Sequence, residues 1–227
     1  MEAIFSSAIF GLFLCIGSFL AGKWIQKKTG LVAANPLLLA AVICVTVLLV
    51  FRIPYASFAR GADLLALLLG PVTALLALGI YNQKAVLKRY FIPVLLGCTA
   101  GSMVSMGSIL LLCRLFRVDQ VITASLLPRS CTTAIALGIS ESHGGLAPVT
   151  VACVIIVGIV GAIGAPAFCR WFRITDPVAQ GLAIGASSHA LGTTKAREMG
   201  ELQGAMSSLA VGICGLISVV LSLFVHL

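Results

Sequence analysis

The sequence predicts an all-α polytopic membrane protein. The expected plan is about six full transmembrane helices plus two re-entrant, broken helices in an inverted repeat, as in a transporter. Three observations carry this reading: an apolar composition, a series of segments of spanning length, and a short motif that recurs ahead of two polar interruptions. The 227 residues are 60% hydrophobic and 10% charged, with mean hydropathy +1.14. Soluble domains carry about 25% charged residues. No soluble fold hides this much apolar surface, so lipid is the solvent. The chain reads as one membrane domain: 1–90 are scaffold or partner-facing helices, 91–146 a first repeat unit, and 147–227 a second unit with the final helix.

The expected spans run over 4–22, 35–51, 63–81, 91–113, 147–168 and 204–225. Each is near the ~20 residues a helix needs to cross a ~30 Å core. The first lacks a basic n-region and is followed by its basic cluster, so it reads as a retained span rather than a cleaved signal. The third holds Gly70-Pro71, which is expected to kink or break it. Two further segments, about 120–140 and 178–198, are too polar and too interrupted for simple spans. Each has a short apolar arm, a break expected at Pro128 or Gly192, and flanking Ser and Thr.

The basic residues arbitrate the topology. If both interrupted segments enter and leave on one side, Arg170, Arg173, Lys195 and Arg197 join Lys23, Lys27, Lys28, Lys84, Lys88 and Arg89 on one face. If both cross, Arg170 and Arg173 change sides and the bias nearly vanishes. The positive-inside rule therefore favours two re-entrant segments with both termini outside. The net charge of +8 belongs to these span ends; no basic stripe with interleaved aromatics points to nucleic acid.

The repeat is visible in "CRLFRVDQV" (113–121) and "CRWFRITDPV" (169–178), 56 residues apart. A broken segment with a Thr-Thr pair follows each, Thr132-Thr133 and Thr193-Thr194. Acidic residues and glycine come next: Glu141 and Gly144, then Glu198 and Gly200. A glycine-bearing span precedes each copy. Two such units with opposite orientation bring their breaks together near the midplane. Half-helix N-termini then face an anionic substrate.

The candidate substrate-binding residues are Arg129, Ser130, Thr132, Thr133, Ser188, His189, Gly192, Thr193 and Lys195, with Ser187 a weaker candidate. Arg129 is an ionisable residue in an apolar stretch, hence functional by default, though it is also long enough to snorkel. The threonines either bind substrate oxygens or bond back to the i−4 carbonyl. His189 either handles a proton or satisfies carbonyls freed at the break. Glu141 and His189 are the tentative coupling residues. Arg197 is expected to pair with Glu201, and Lys195 stands near the inner face. The eight cysteines have no CxxC spacing and read as packing residues. No metal site, cofactor motif or nucleophile–base constellation is present, so no enzyme activity is expected.

The stretches "LLPRSCTTAIALGIS", "GLAIGASSHALGTTKAREMGELQGAMSSLA" and "IPYASFARGADLLALLLGPVTALLA" resemble the LrgB/CidB family of bacterial membrane proteins over nearly the whole chain. The family usually has Lys where Arg129 stands, an aliphatic residue at Cys131 and often Pro at Ala134. It commonly reads Gly-Thr-Ala-Arg where this chain has Gly192, Thr193, Thr194 and Lys195. The resemblance implies a bacterial cytoplasmic (inner) membrane location and a small LrgA/CidA-like membrane subunit as partner. It implies two functions. One is holin/antiholin-type control of murein hydrolase export and cell lysis. The other is transport of small monocarboxylates, pyruvate among bacterial members and glycolate or glycerate in the related plastid translocator. Two polar breaks in matching repeat positions favour a secondary transporter of a pyruvate-, glycolate- or lactate-like anion. A homo-oligomer is expected.

Overall fold

The computed structural model describes residues 7–30 and 36–225. These fall into two compact units, Met1–Val72 and Thr73–Leu227. The described residues form helices and connecting turns with no strand. Among the described residues, four helices are long and apolar enough to cross a bilayer: Ile9–Thr29, Phe91–Leu115, Ala147–Trp171 and Glu201–Ser222. The chain is a membrane protein.

In the first unit, α1 (Ala8–Thr29) begins at an N-cap, where Ser7 Oγ accepts from the Ile9 N–H, and ends at left-handed Gly30 (φ 66°). It packs on α2 (Pro36–Val50) at Gly22 and on α3 (Tyr55–Ala66) at Gly11, where a side chain would strike backbone. Cys44 of α2 donates to Ser18 Oγ of α1 at 3.3 Å. The start of the expected first span, 4–6, and the termini expected outside lie beyond the described residues, as does residue 35. The third expected span, 63–81, is not one helix. It is α3 followed by α4 (Leu69–Asn82), interrupted at Leu67-Leu68. The interruption is the expected one: Pro71 has no N–H to return to the Leu67 carbonyl and its ring crowds that carbonyl, so the helix breaks three to four residues upstream.

In the second unit, the short α5 (Lys84–Arg89) leads into α6 (Phe91–Leu115). Then come α7 (Gln120–Leu126), α8 (Thr133–Ser142) and α9 (Ala147–Trp171). α10 (Pro177–Met199) and α11 (Glu201–Ser222) complete it. The recurring motif proves to be a helix-ending device. In α6 the Val118 N–H returns to the Cys113 carbonyl at 2.8 Å; in α9 the Ile174 N–H returns to Cys169 at 2.8 Å. Arg117 and Arg173 take the left-handed turn at φ 52° and 54°. Both ends have the Schellman bond pattern, with arginine where glycine is usual. Asp119 and Asp176 then cap the next helices through bonds from Val121 and Ala179. A third copy was not read from the sequence: α2 ends at left-handed Arg52 (φ 52°), with Ile53 N–H on the Leu48 carbonyl at 2.9 Å.

Both interrupted segments double back. α10 is broken at His189 (φ 41°, ψ −139°), not at Gly192. Its first arm, 177–188, packs Gly181 against Gln203 and Met206 and Gly185 against Ser207 and Ala210. Its second arm, 190–199, returns past the same stretch: Thr193 Oγ1 lies 2.8 Å from Ser207 Oγ, and Arg197 covers Gly204. Gly192 lets the hairpin close, since a side chain there would meet Ser188 and Ile184. In the other segment, α7 and α8 flank a break over 127–132 around Pro128. Both face the start of α9: Ser125 Oγ accepts from the Leu146 N–H at 2.7 Å, and Thr150 Oγ1 bonds Ser140 Oγ at 2.7 Å.

The two Thr-Thr pairs are not structurally equivalent. Thr132 is the N-cap of α8, whereas Thr193 and Thr194 lie one turn inside the second arm of α10. The residue at the turn into that arm is His189.

Candidate functional site

The breaks converge on one turn of α9. Val154 is fully buried in a cluster with Leu127 and Cys131 of the first break. Its carbonyl accepts a hydrogen bond from His189 Nε2 of the second break at 2.9 Å. A carbonyl only accepts, so that nitrogen carries the proton. The close approach depends on Gly158 and Gly161, where a side chain would overlap His189 and Ser188.

Beside this junction lies a cavity of about 870 Å³. It runs from Tyr90, Pro93 and Asp176, at the N-terminal ends of α6 and α10, to Arg129 and Ser130 in the first break. Gly97 and Gly101 of α6 form one wall; Leu182, Ala183 and Ala186 of the first arm of α10 form another. Apart from Tyr90 and Asp176 at the first end, its polar groups gather at the inner, Arg129 end. Arg129 Nη2 donates to Ser108 Oγ at 3.2 Å, and Ser105 Oγ donates to Ser130 Oγ at 2.9 Å. Ser187 also lines the cavity and shares a 3.0 Å contact with Ser188 Oγ. Among the described residues, no carboxylate lies within 4 Å of the Arg129 guanidinium. The inner end thus offers one unpaired cation and several hydroxyls in a largely apolar wall. That chemistry suits a small anion with an apolar remainder.

The expected site residues fall into four groups. Arg129 and Ser130 line the cavity. Ser188, His189, Gly192 and Thr193 are buried behind it as hairpin packing. There Thr193 Oγ1 also bonds back to the His189 carbonyl at 3.0 Å. Thr132 and Thr133 stand at the start of α8, outside the cavity lining. Thr132 does not cap the helix with its side chain, and its buried Oγ1 has no hydrogen-bond partner. Lys195 pairs with Glu198 at 2.7 Å on the surface, and Glu141 is exposed at the far end of α8. The expected Arg197–Glu201 pair does not form. These two side chains instead border a second cavity, of about 670 Å³, with Gln83 and Ser208. Ser105 and Ser108 were missed. Their signal is the run Ser102, Ser105, Ser108 at three-residue spacing in an otherwise apolar helix, one face of which must find polar partners.

The LrgB-like family model matches residues 15–227. The chain is similar to an antiholin-like protein LrgB of Bacillus subtilis (strain 168), 36% identical over 224 residues, covering 97% of this chain and 96% of the relative. It is 35% identical over 210 residues to an uncharacterized protein YxaC of the same organism, covering 92% and 91%. It is 35% identical over 213 residues to an antiholin-like protein LrgB of Bacillus cereus (strain B4264), covering 93% and 92%. No solved structure matches.

Proposed function

The chain belongs to the LrgB-like family, and we propose that it is a secondary transporter of small monocarboxylate anions such as pyruvate, glycolate or lactate. The observation that carries the reading is the unpaired Arg129 guanidinium among Ser105, Ser108 and Ser130 at the inner end of a cavity beside two helix breaks. A charge placed among apolar helices is costly, and it is kept where it meets a counter-charge. One cation with hydroxyl donors matches one carboxylate. The apolar walls match a short carbon chain.

The hairpins support an inverted-repeat reading. The first packs on the start of α9 and the second on the start of α11, the two successive spans of the unit. One end of the cavity, at Tyr90 and Asp176, lies at the starts of α6 and α10, next in sequence to Arg89 and Arg173. By the positive-inside rule that is the cytoplasmic face of the bacterial inner membrane, with both termini on the other side. Proton coupling runs through His189 or Glu141 in this reading, and Thr132, Thr133 and Thr193 at the breaks become accessible as the hairpins move. A small LrgA/CidA-like subunit is the expected partner, in a homo-oligomeric assembly.

The relatives' printed name, antiholin-like, favours a second reading, regulation of a holin-like partner and thereby of lysis. Such a regulator needs an interaction surface and has no use for a ligand at Arg129. A thiol placed at the cavity wall separates the two. In a Ser187→Cys protein, pyruvate or glycolate is expected to slow maleimide labelling several-fold relative to chloride of equal ionic strength. Succinate should protect less. An unchanged labelling rate with every monocarboxylate would count against an anion site here.

A further inference from the structure

Arg117 stands in a left-handed turn (φ 52°) that glycine occupies without strain and arginine does not. What arginine adds there is a guanidinium, and it borders a small cavity of about 210 Å³. The lining joins Leu110, Cys113 and Arg114 from the end of α6 to Arg117, Gln120 and Thr123. No acidic side chain lines it. Among the described residues, neither guanidinium has a carboxylate within 4 Å. The nearest acid in sequence, Asp119, has its carboxylate on the Val121 N–H at 2.9 Å. Arg114, Arg117 and Gln120, none of them paired with a carboxylate, therefore border a space roomy enough for a phosphate group. Arg114 and Arg117 are surplus to the proposed anion pathway, since neither lines the cavity that holds Arg129.

From this geometry we infer that the end of α6 binds the phosphate headgroup of an anionic phospholipid. Guanidinium groups pair with phosphate oxygens through charge-assisted, often bidentate bonds. The membrane supplies the rest of the ligand. Leu111, Leu112, Leu115 and Phe116 beside the cavity are all exposed on a span that lipid surrounds, so an acyl chain lies along them while the headgroup occupies the cavity. A free phosphate ion would leave that apolar surface unused. The inference does not depend on the transport reading.

The test uses the purified full-length protein in detergent, with bound lipid read by native mass spectrometry. Three arms add phosphatidylglycerol, phosphatidylcholine or inorganic phosphate. Phosphatidylglycerol should be retained in preference to phosphatidylcholine, and inorganic phosphate should displace it only weakly. Arg117→Gly should lower phosphatidylglycerol retention about tenfold without lowering the melting midpoint in lipid-free detergent, because glycine fits the turn. Arg114→Gln, which leaves the turn untouched, should lower retention as well. Undiminished retention in both variants overturns the assignment. So does equal binding of the two lipids, or full displacement by inorganic phosphate.

Discussion

Replacing Arg129 with glutamine is expected to cut monocarboxylate uptake by about two orders of magnitude with the protein still folded in the membrane. Glutamine keeps a donor for Ser108 Oγ, which now receives the guanidinium at 3.2 Å, but removes the positive charge. A carboxylate entering an apolar cavity has then lost its hydration without gaining a counter-charge. A charge-assisted pair to a buried carboxylate is worth about 3 kcal/mol, which is about a hundredfold in binding. Arg129→Lys keeps the charge and loses the planar fork, so it should retain an intermediate rate, with the loss mainly in apparent affinity. The check is the initial rate of labelled pyruvate uptake at equal reconstituted protein. Equal rates in wild type and Arg129→Gln would make the guanidinium structural.

The second large effect is on folding. Gly185→Val is expected to abolish monodisperse protein. A side chain at Gly185 would strike the Ser207 carbonyl and the Ala210 side chain of α11. Both belong to a regular, deeply buried helix face with no flexible side-chain end to yield. Overpacking a close-packed site costs about 1–3 kcal/mol or more, and small residues are what let membrane helices approach this closely. The hairpin would have to separate from α11, carrying the Thr193–Ser207 bond with it. Gly164→Ala on α9 is the matched control. Nothing lies within 4 Å of a side chain there, and alanine favours helix by about 1 kcal/mol over glycine. Size-exclusion profiles should show the valine variant aggregated and the alanine variant indistinguishable from wild type. A monodisperse Gly185→Val protein would refute the tight seam.

Much of the fold was legible because lipid enforces simple rules. Long apolar runs became α1, α6, α9 and α11 nearly as expected, since nothing else satisfies backbone groups in hydrocarbon. Polar interruptions marked the two doubled-back segments for the same reason. Pro71 and Pro128 marked real interruptions, at Leu67-Leu68 and over 127–132. The error was Gly192, which serves close packing inside a helix. The real break at His189 is held by a tertiary bond to Val154, which no local pattern announces. The Lys195–Glu198 pair formed instead of Arg197–Glu201 because Arg197 packs its stem over Gly204. The cavity was half legible: Arg129 and Ser130 declared themselves by polarity. Ser105 and Ser108 acquire meaning only when α6 is set beside the first break.

In the proposed function, this chain moves small monocarboxylates through the Arg129 cavity. The most direct test is uptake of labelled pyruvate into proteoliposomes containing the purified wild-type protein, with and without the small membrane partner. The account predicts saturable uptake above protein-free vesicles, competed by glycolate and lactate and not by succinate. Absence of saturable flux for pyruvate, glycolate and lactate, with and without the partner, would contradict it and leave the antiholin-like reading in its place.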